Sequence, residues 1–390
     1  MSIDSIITPN NITFDTIKII RLKKIILILI LIVFASCKQE TKPNIQKTAE
    51  GIKTNLKYAK GFSITNFESY KVIEIKSPWP NAEESFTYVL SNNQNEADII
   101  NPIEKIVVTS TTHIPALELL GVEQTLVGFP GCDYISSNKT RERINRGLVR
   151  ELGKNEGINT EVLLELNPDV VIGYGIDGNN KTFETLQKAN IPVIYNGDWV
   201  EDSALAKAEW VKFFGALYNK EAVADSVFNT IETNYLEAKK IALKAKTKPT
   251  IICGAMHKDV WYLPNGTSPE AQFLKDANVN YLWSETKGKG SLALSFESVF
   301  VKAQGANLWL SPSYYPTMEA IEKASAHYTK FEAFQNNKVF SFSNTTGTTG
   351  GVLYYELGTA RPDLVLKDII KICHPELLED YTPFFFKPLK

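Results

Sequence analysis

The sequence predicts an α/β protein of two lobes, each a mostly parallel sheet covered by helices, joined by a single long helix. Three observations carry this reading. Ala224, Val227, Phe228, Ile231, Tyr235, Ala238 and Ala242 recur every three or four positions, the spacing of one helix face. Short apolar strand patterns alternate with helical ones on both sides of that stretch, the signature of βα repetition. At 390 residues the chain is also longer than a single hydrophobic core usually supports.

The connecting helix is expected over 219–246. Asn219 can cap its N-terminus, Glu221 sits in the first turn, and Lys239, Lys240, Lys244 and Lys246 crowd the last turns, where cations complement the helix dipole. Pro249 ends it. Such a helix would be roughly 40 Å long, about the span of a domain. The competing reading is an ordinary surface helix within one domain.

Arg21, Lys23 and Lys24 precede the apolar run Ile25 to Phe34, and Ala35-Ser36-Cys37 closes it before Lys38. The run is shorter than the roughly 20 residues that span a bilayer and has the proportions of a signal peptide. Its small-small-Cys ending resembles a bacterial lipobox, which implies that Cys37 is lipidated and becomes the mature N-terminus. Phe34 stands where a lipobox usually has Leu. Residues 1–37 are set aside as extension and signal peptide, and 38–60, polar and aperiodic, as a tether. The N-terminal lobe is expected over 61–218 and the C-terminal lobe over 247–390. Cys132, Cys253 and Cys373 remain, an odd number without C-x-x-C spacing, and are expected as buried thiols. A net charge of −2 with no basic stripe argues against nucleic acid.

In the first lobe, Phe62 to Tyr70, Lys71 to Lys76 and Ser85 to Leu90 read as an antiparallel ribbon. Strands follow at Lys105 to Ser110, Thr125 to Phe129, Asp169 to Tyr174 and Pro192 to Tyr195. Between and after them come helices at His113 to Leu120, Glu161 to Leu166, Phe183 to Ala189 and Ala204 to Tyr218. The second lobe repeats the pattern. Its strands are Thr250 to Cys253, Val260 to Leu263, Asn307 to Leu310 and Lys338 to Phe342; its helices are Ser268 to Ala277, Phe296 to Lys302 and a closing helix from Gly358 or Arg361 to Cys373. Leu294-Ser-Phe-Glu297, followed by Ala306-Asn-Leu-Trp-Leu, echoes Ile158-Asn-Thr-Glu161, followed by Pro168-Asp-Val-Val-Ile. Each lobe thus opens a short helix with a glutamate and feeds it into a central strand.

That order of elements resembles the periplasmic binding proteins for iron-siderophore complexes, haem and cobalamin. The resemblance covers about Ile103 to Leu378 and is carried by Glu161-Val-Leu-Leu-Glu-Leu-Asn-Pro-Asp-Val-Val-Ile, by Leu294-Ser-Phe-Glu297, and by Arg361-Pro-Asp-Leu-Val-Leu-Lys-Asp-Ile-Ile before His374-Pro-Glu-Leu. It implies a class III periplasmic binding protein: two Rossmann-like lobes joined by one long α-helix, with ligand held between them. It also implies that Glu161 and Glu297 dock onto arginines of a membrane permease, and that Tyr134, Tyr174 and Arg361 lie at or near the cleft.

Enzyme chemistry finds no support. The loop Gly347-Thr-Thr-Gly-Gly351 lacks a P-loop lysine and Rossmann spacing, no G-x-S-x-G elbow occurs, and His113, His257, His327 and His374 are too dispersed for a metal pattern. No catalytic residue, resident metal or cofactor is expected. Ligands of open α/β sheets sit beyond the carboxyl ends of strands, which selects Thr111, Thr112, Tyr134, Tyr174 and Trp199 in the first lobe and Trp261, Tyr314 and Arg361 in the second. Core packing competes for each aromatic, and a neighbouring glutamate competes for Arg361. The expected function is a substrate-binding lipoprotein of an ABC importer, monomeric and anchored in the cell envelope on the periplasmic side or at the cell surface. It would take an iron-siderophore complex, or alternatively cobalamin or haem. A cell-surface enzyme and a purely structural lipoprotein are the readings from other classes.

Overall fold

The computed structural model describes residues 50–390 apart from 77, 96, 156, 176–179 and 289. The expected signal peptide, Cys37 and the first part of the tether lie outside the described residues. No described helix is long and apolar enough to cross a membrane.

The first lobe is built on a parallel sheet in the order Val193–Tyr195, Val170–Gly173, Ile106–Val108, Leu126–Phe129, Arg150–Glu151. Its central strands Ile106–Val108 and Val170–Gly173 are buried along their whole length, as befits a sheet with both faces covered. Beside it the ribbon Phe62–Asn66, Tyr70–Ile75 and Phe86–Ser91 pairs antiparallel. The second lobe repeats the scheme with Asn280–Tyr281, Thr250–Cys253, Leu308–Leu310 and Val339–Ser341 in parallel order and Lys387–Pro388 as an antiparallel edge. A small antiparallel sheet of Ala255–His257, Val260–Pro264 and Ser291–Leu294 stands beside it.

The linking helix is Glu221–Ala242, 22 residues, or roughly 33 Å. It is shorter than the sequence suggests at both ends. Asn219 is not its cap: it takes a left-handed conformation with φ 54°, and its side chain instead accepts from Lys71 Nζ at 2.6 Å. The apolar stripe is shared. Ala224, Phe228 and Ile231 enter the first lobe's core, whereas Tyr235, Ala238 and Ala242 enter the second's. Tyr235 Oη donates to Asp276 Oδ2 at 2.8 Å, and Lys239 Nζ lies 2.7 Å from the same carboxylate.

Two further expectations need correction. The single helix over 204–218 is two, Ala204–Ala208 and Val211–Leu217. The break falls where Glu209 and the neighbouring Trp210 turn to partners outside the helix. Glu209, fully buried, accepts the backbone N–H groups of Lys57, Tyr58 and Ala59 at 2.9, 2.7 and 2.9 Å. Glu201 accepts from Trp210 Nε1 at 3.0 Å and from the N–H of Gly61 at 2.8 Å. The same bonds correct the tether: its last residues are clamped onto the lobe, and Ile52–Lys53 adds a strand to the ribbon. A buried carboxylate needs such donors to offset its lost hydration.

Cys132, Cys253 and Cys373 are free and buried. His374 is buried at the end of helix Pro362–Cys373, its Nε2 3.0 Å from the Ala277 carbonyl oxygen. His113 is core: its ring packs 5.6 Å from that of Phe214, and burial pushes its pKa down to about 3, so it is neutral. Replacing Ile231 with Pro removes a helical N–H bond and a buried side chain at the point where the stripe passes from one core to the other. The expected loss is about 3 kcal/mol or more, read as a lowered urea midpoint.

Candidate functional site in the cleft between the lobes

The carboxyl ends of both sheets face a common cleft. After Tyr195 the chain turns tightly, with the Asp198 N–H donating to Asn196 Oδ1 at 2.8 Å, and the short turn Asp198–Val200 sends Asp198 inward and Trp199 out into the cleft. From the second lobe come Tyr262 on the hairpin, Glu270 at the start of helix Pro269–Asp276, Phe342 beyond Val339–Ser341, and Tyr354 and Tyr355 on helix Leu353–Leu357. Together they enclose a cavity of about 820 Å³. A side chamber of about 200 Å³ shares Tyr262, Phe342 and Tyr355 and adds Met256, His257 and Tyr314.

Four described charged residues line the main cavity: Glu201, Asp202, Glu270 and Lys207. Lys207 also borders a small void with Thr112 and Asp198. Burial pushes the Asp198 carboxyl up to about 6, against the pull of Lys207 and of Thr112, whose Oγ1 lies 3.4 Å away. The cavity wall is therefore aromatic and, on balance, acidic.

The expected site residues divide. Trp199 and Tyr314 line the cleft. Trp261 does not: it is fully buried, stacked on Trp309 at 5.6 Å with Nε1 donating to the Cys253 carbonyl at 2.9 Å. Strand alternation turns its neighbour Tyr262 to the cavity instead. Arg361 caps helix Pro362–Cys373 and is committed to Asp363 through two bonds of 2.8 Å. Thr111 belongs to a short turn against which helix Leu353–Leu357 packs, and Thr112 to the Asp198 cluster. Tyr174 is half-buried at the end of its strand and lines neither chamber. Tyr134 is largely exposed at the lobe junction. Tyr262, Phe342, Tyr354, Tyr355 and Glu270 were missed in the sequence; the pair Tyr354-Tyr355 just after a glycine-rich loop was the available signal.

That glycine-rich loop is where the lobes touch. Ser136 and Ser137 donate their N–H groups to Glu356 at 2.5 and 2.8 Å, Ser136 Oγ donates to the Gly351 carbonyl at 2.8 Å, and Thr349 Oγ1 to the Asp133 carbonyl at 2.7 Å. A Cβ on Gly347 would lie 2.6 Å from Ser136 Cα, and one on Gly351 only 2.2 Å from the Tyr134 carbonyl oxygen. The glycines permit backbone-to-backbone approach between lobes, not phosphate binding.

Glu161 and Glu297 are both exposed, one residue into helices Thr160–Leu166 and Phe296–Ala303. Asn159 and Ser295 cap these helices in the same way, each accepting from an N–H three residues on at 3.2 Å. Each helix precedes a central parallel strand and runs antiparallel to it, so its N-terminus lies at the strand's carboxyl edge. The two glutamates thus sit on the face where the cleft opens.

Two α/β lobes, one helical connection and a cleft at the carboxyl edges define a two-lobed binding protein. The model of the periplasmic binding protein family matches residues 106–345, and this chain belongs to that family, whose members are the substrate-binding proteins of ABC importers rather than enzymes. An uncharacterized lipoprotein of Methanocaldococcus jannaschii is 27% identical over 299 residues, 74% of this chain and 69% of its own length. A possible iron-binding periplasmic solute-binding protein from Staphylococcus epidermidis superposes with a TM-score of 0.55 at 18% identity, over 70% of this chain and all of that one. The periplasmic haem-binding protein HutB of Vibrio cholerae gives 0.51 at 14% identity, over 67% and 99%. At these identities the superpositions speak to the fold, the class III arrangement of two lobes on one helix.

Glu356 makes the lobe junction sensitive to pH. Burial and the nearby Glu118 carboxylate push it up from 4.5 to about 7, against the pull of the two N–H donors. The folded state therefore keeps a proton that the unfolded chain releases. The associated stability is complete below pH 4.5, is lost as pH rises to about 7, and is flat above. Relative to Glu356→Gln, the wild-type stability read from urea unfolding should fall across that window, by no more than about 3 to 4 kcal/mol.

Proposed function

We propose that this protein captures a ferric siderophore of neutral or positive charge between its lobes and presents it to an ABC permease. The observation that carries this is the cavity itself, about 820 Å³, within the range of pockets that enclose drug-sized ligands. Its aromatic faces suit a bulky chelate with apolar area. Its acidic balance disfavours an anionic ligand, which would meet Lys207 as the one cation among the described lining residues. Haem fits less well because its carboxylates want arginine or lysine partners, and Arg361 is held by Asp363. Cobalamin is the second reading, favoured by the same aromatic walls. The iron-binding description of the Staphylococcus epidermidis neighbour supports the first choice.

Attachment to the membrane through lipidated Cys37 belongs to this proposal, in line with the lipoprotein names of the relatives from Methanocaldococcus jannaschii. So does permease docking by Glu161 and Glu297, whose charges would set orientation and encounter rate more than affinity.

Ligand choice is read by Trp fluorescence of the purified protein mixed with a cationic ferric trihydroxamate, cobalamin or haem. The trihydroxamate should quench it at micromolar concentration or below, and Trp199→Ala should weaken binding roughly tenfold, about 1.4 kcal/mol. Quenching by cobalamin alone would replace the first choice by the second. For docking, the double reversal Glu161→Lys with Glu297→Lys should abolish uptake while ligand affinity stays within about twofold; unchanged uptake would sink the assignment.

A further inference from the structure

We infer that Tyr314 and Tyr355 form a subsite for a ferric ion whose chelator leaves two coordination positions open. The inference rests on the cleft being the ligand site, and it narrows the cargo to iron chelates that are not fully wrapped.

The two phenol oxygens lie 2.9 Å apart, Tyr314 donating to Tyr355. Three other tyrosine hydroxyls are spent on carboxylates: Tyr58 on Glu232, Tyr235 on Asp276 and Tyr381 on Asp368. This pair is bonded to itself and faces the side chamber, with Tyr355 also reaching the main cavity. Both side chains are substantially exposed, at 64% and 45%. Each is also well supported from behind. Tyr314 follows a bend in which Ser311 and Ser313 take positive φ, and Tyr355 precedes Glu356, which is pinned to the opposite lobe. Two oxygens bound side by side on an octahedral ion at about 2 Å are separated by roughly 2.8 Å. The phenol pair is already at that spacing.

Burial and the neighbouring Tyr314 hydroxyl raise the Tyr355 hydroxyl above the ordinary phenol range, which favours its protonated form. A ferric ion inverts that preference. Each phenol gives its proton to solvent, each oxygen replaces one water on iron, and the iron remains ferric. A four-coordinate chelator of charge −2 brings the iron in as a +1 complex, the sign the cavity lining favours, and the two phenolates take the bound site to −1 as two protons leave.

The probe is ferric nitrilotriacetate, a chelate with two adjacent open positions. Mixed with the wild-type protein it should give a visible phenolate-to-iron charge-transfer band. Tyr314→Phe or Tyr355→Phe alone should weaken binding at least tenfold, and the double variant should lose the band. A fully wrapped ferric trihydroxamate should quench Trp fluorescence equally in wild type and double variant, with no new band, which also shows that the variant is folded. Quenching without a band in the wild type would overturn the subsite alone; loss of both would overturn the cleft reading beneath it. A band that survives in the double variant, or disappears only in His257→Ala, would also overturn the proposal.

Discussion

One helix belongs to two hydrophobic cores, and the arrangement of everything else follows from that. Half of the stripe on Glu221–Ala242 packs with the first lobe and half with the second. Neither core can shed its share without exposing apolar surface, at roughly 25 cal/mol per Å². The lobes are therefore held at a separation set by a rigid rod instead of by flexible strands. The clamp formed by Glu201 and Glu209 fastens the incoming chain to the first lobe, just before the rod begins.

The loop carrying Gly347 and Gly351 ties the lobes a second time. A rod on one side and a hydrogen-bonded junction on the other leave little room for the large hinge closure seen where lobes are joined by crossovers. Two fixed lobes also give Glu161 and Glu297 a defined spacing. The junction bears on the ligand side as well, because Glu356 lies on the helix that carries Tyr354 and Tyr355. The residue that holds the lobes together thus positions the aromatic wall of the cavity.

Charge in the cleft is governed by which ions are already paired. Arg361 stands near the cleft in sequence logic, yet its guanidinium is taken up by Asp363. Lys207 faces Asp198 across a small void. Among the described lining residues Glu201, Asp202 and Glu270 outnumber Lys207 and set the sign of the potential, which low-dielectric walls amplify.

The sequence by itself determined the class of fold, the two lobes, the linking helix and the matched glutamates, because each is written in local periodicity, and an amphipathic stripe or a buried strand needs no distant partner to be recognised. Short elements escaped. Asn138–Asn145, Met318–Ala324 and Leu353–Leu357 span about two turns or fewer, and at that length a 3.6-residue period shows only where apolar residues repeat, whereas Asn138–Asn145 carries Ile144 as its one large apolar side chain. Of the eight residues expected at the ligand, Trp199 and Tyr314 reach the cleft, whereas Trp261 and Arg361 are absorbed by a core and an ion pair. Which of two adjacent aromatics faces the cavity depends on the phase of a strand against its neighbours, and whether Arg361 is free depends on Asp363, two residues on. Only the tertiary structure decided the first, because strand phase is set by what lies across the packed interface. The second was open to the sequence as composition but not as geometry, because a carboxylate two residues on takes up the guanidinium only once the start of helix Pro362–Cys373 is folded.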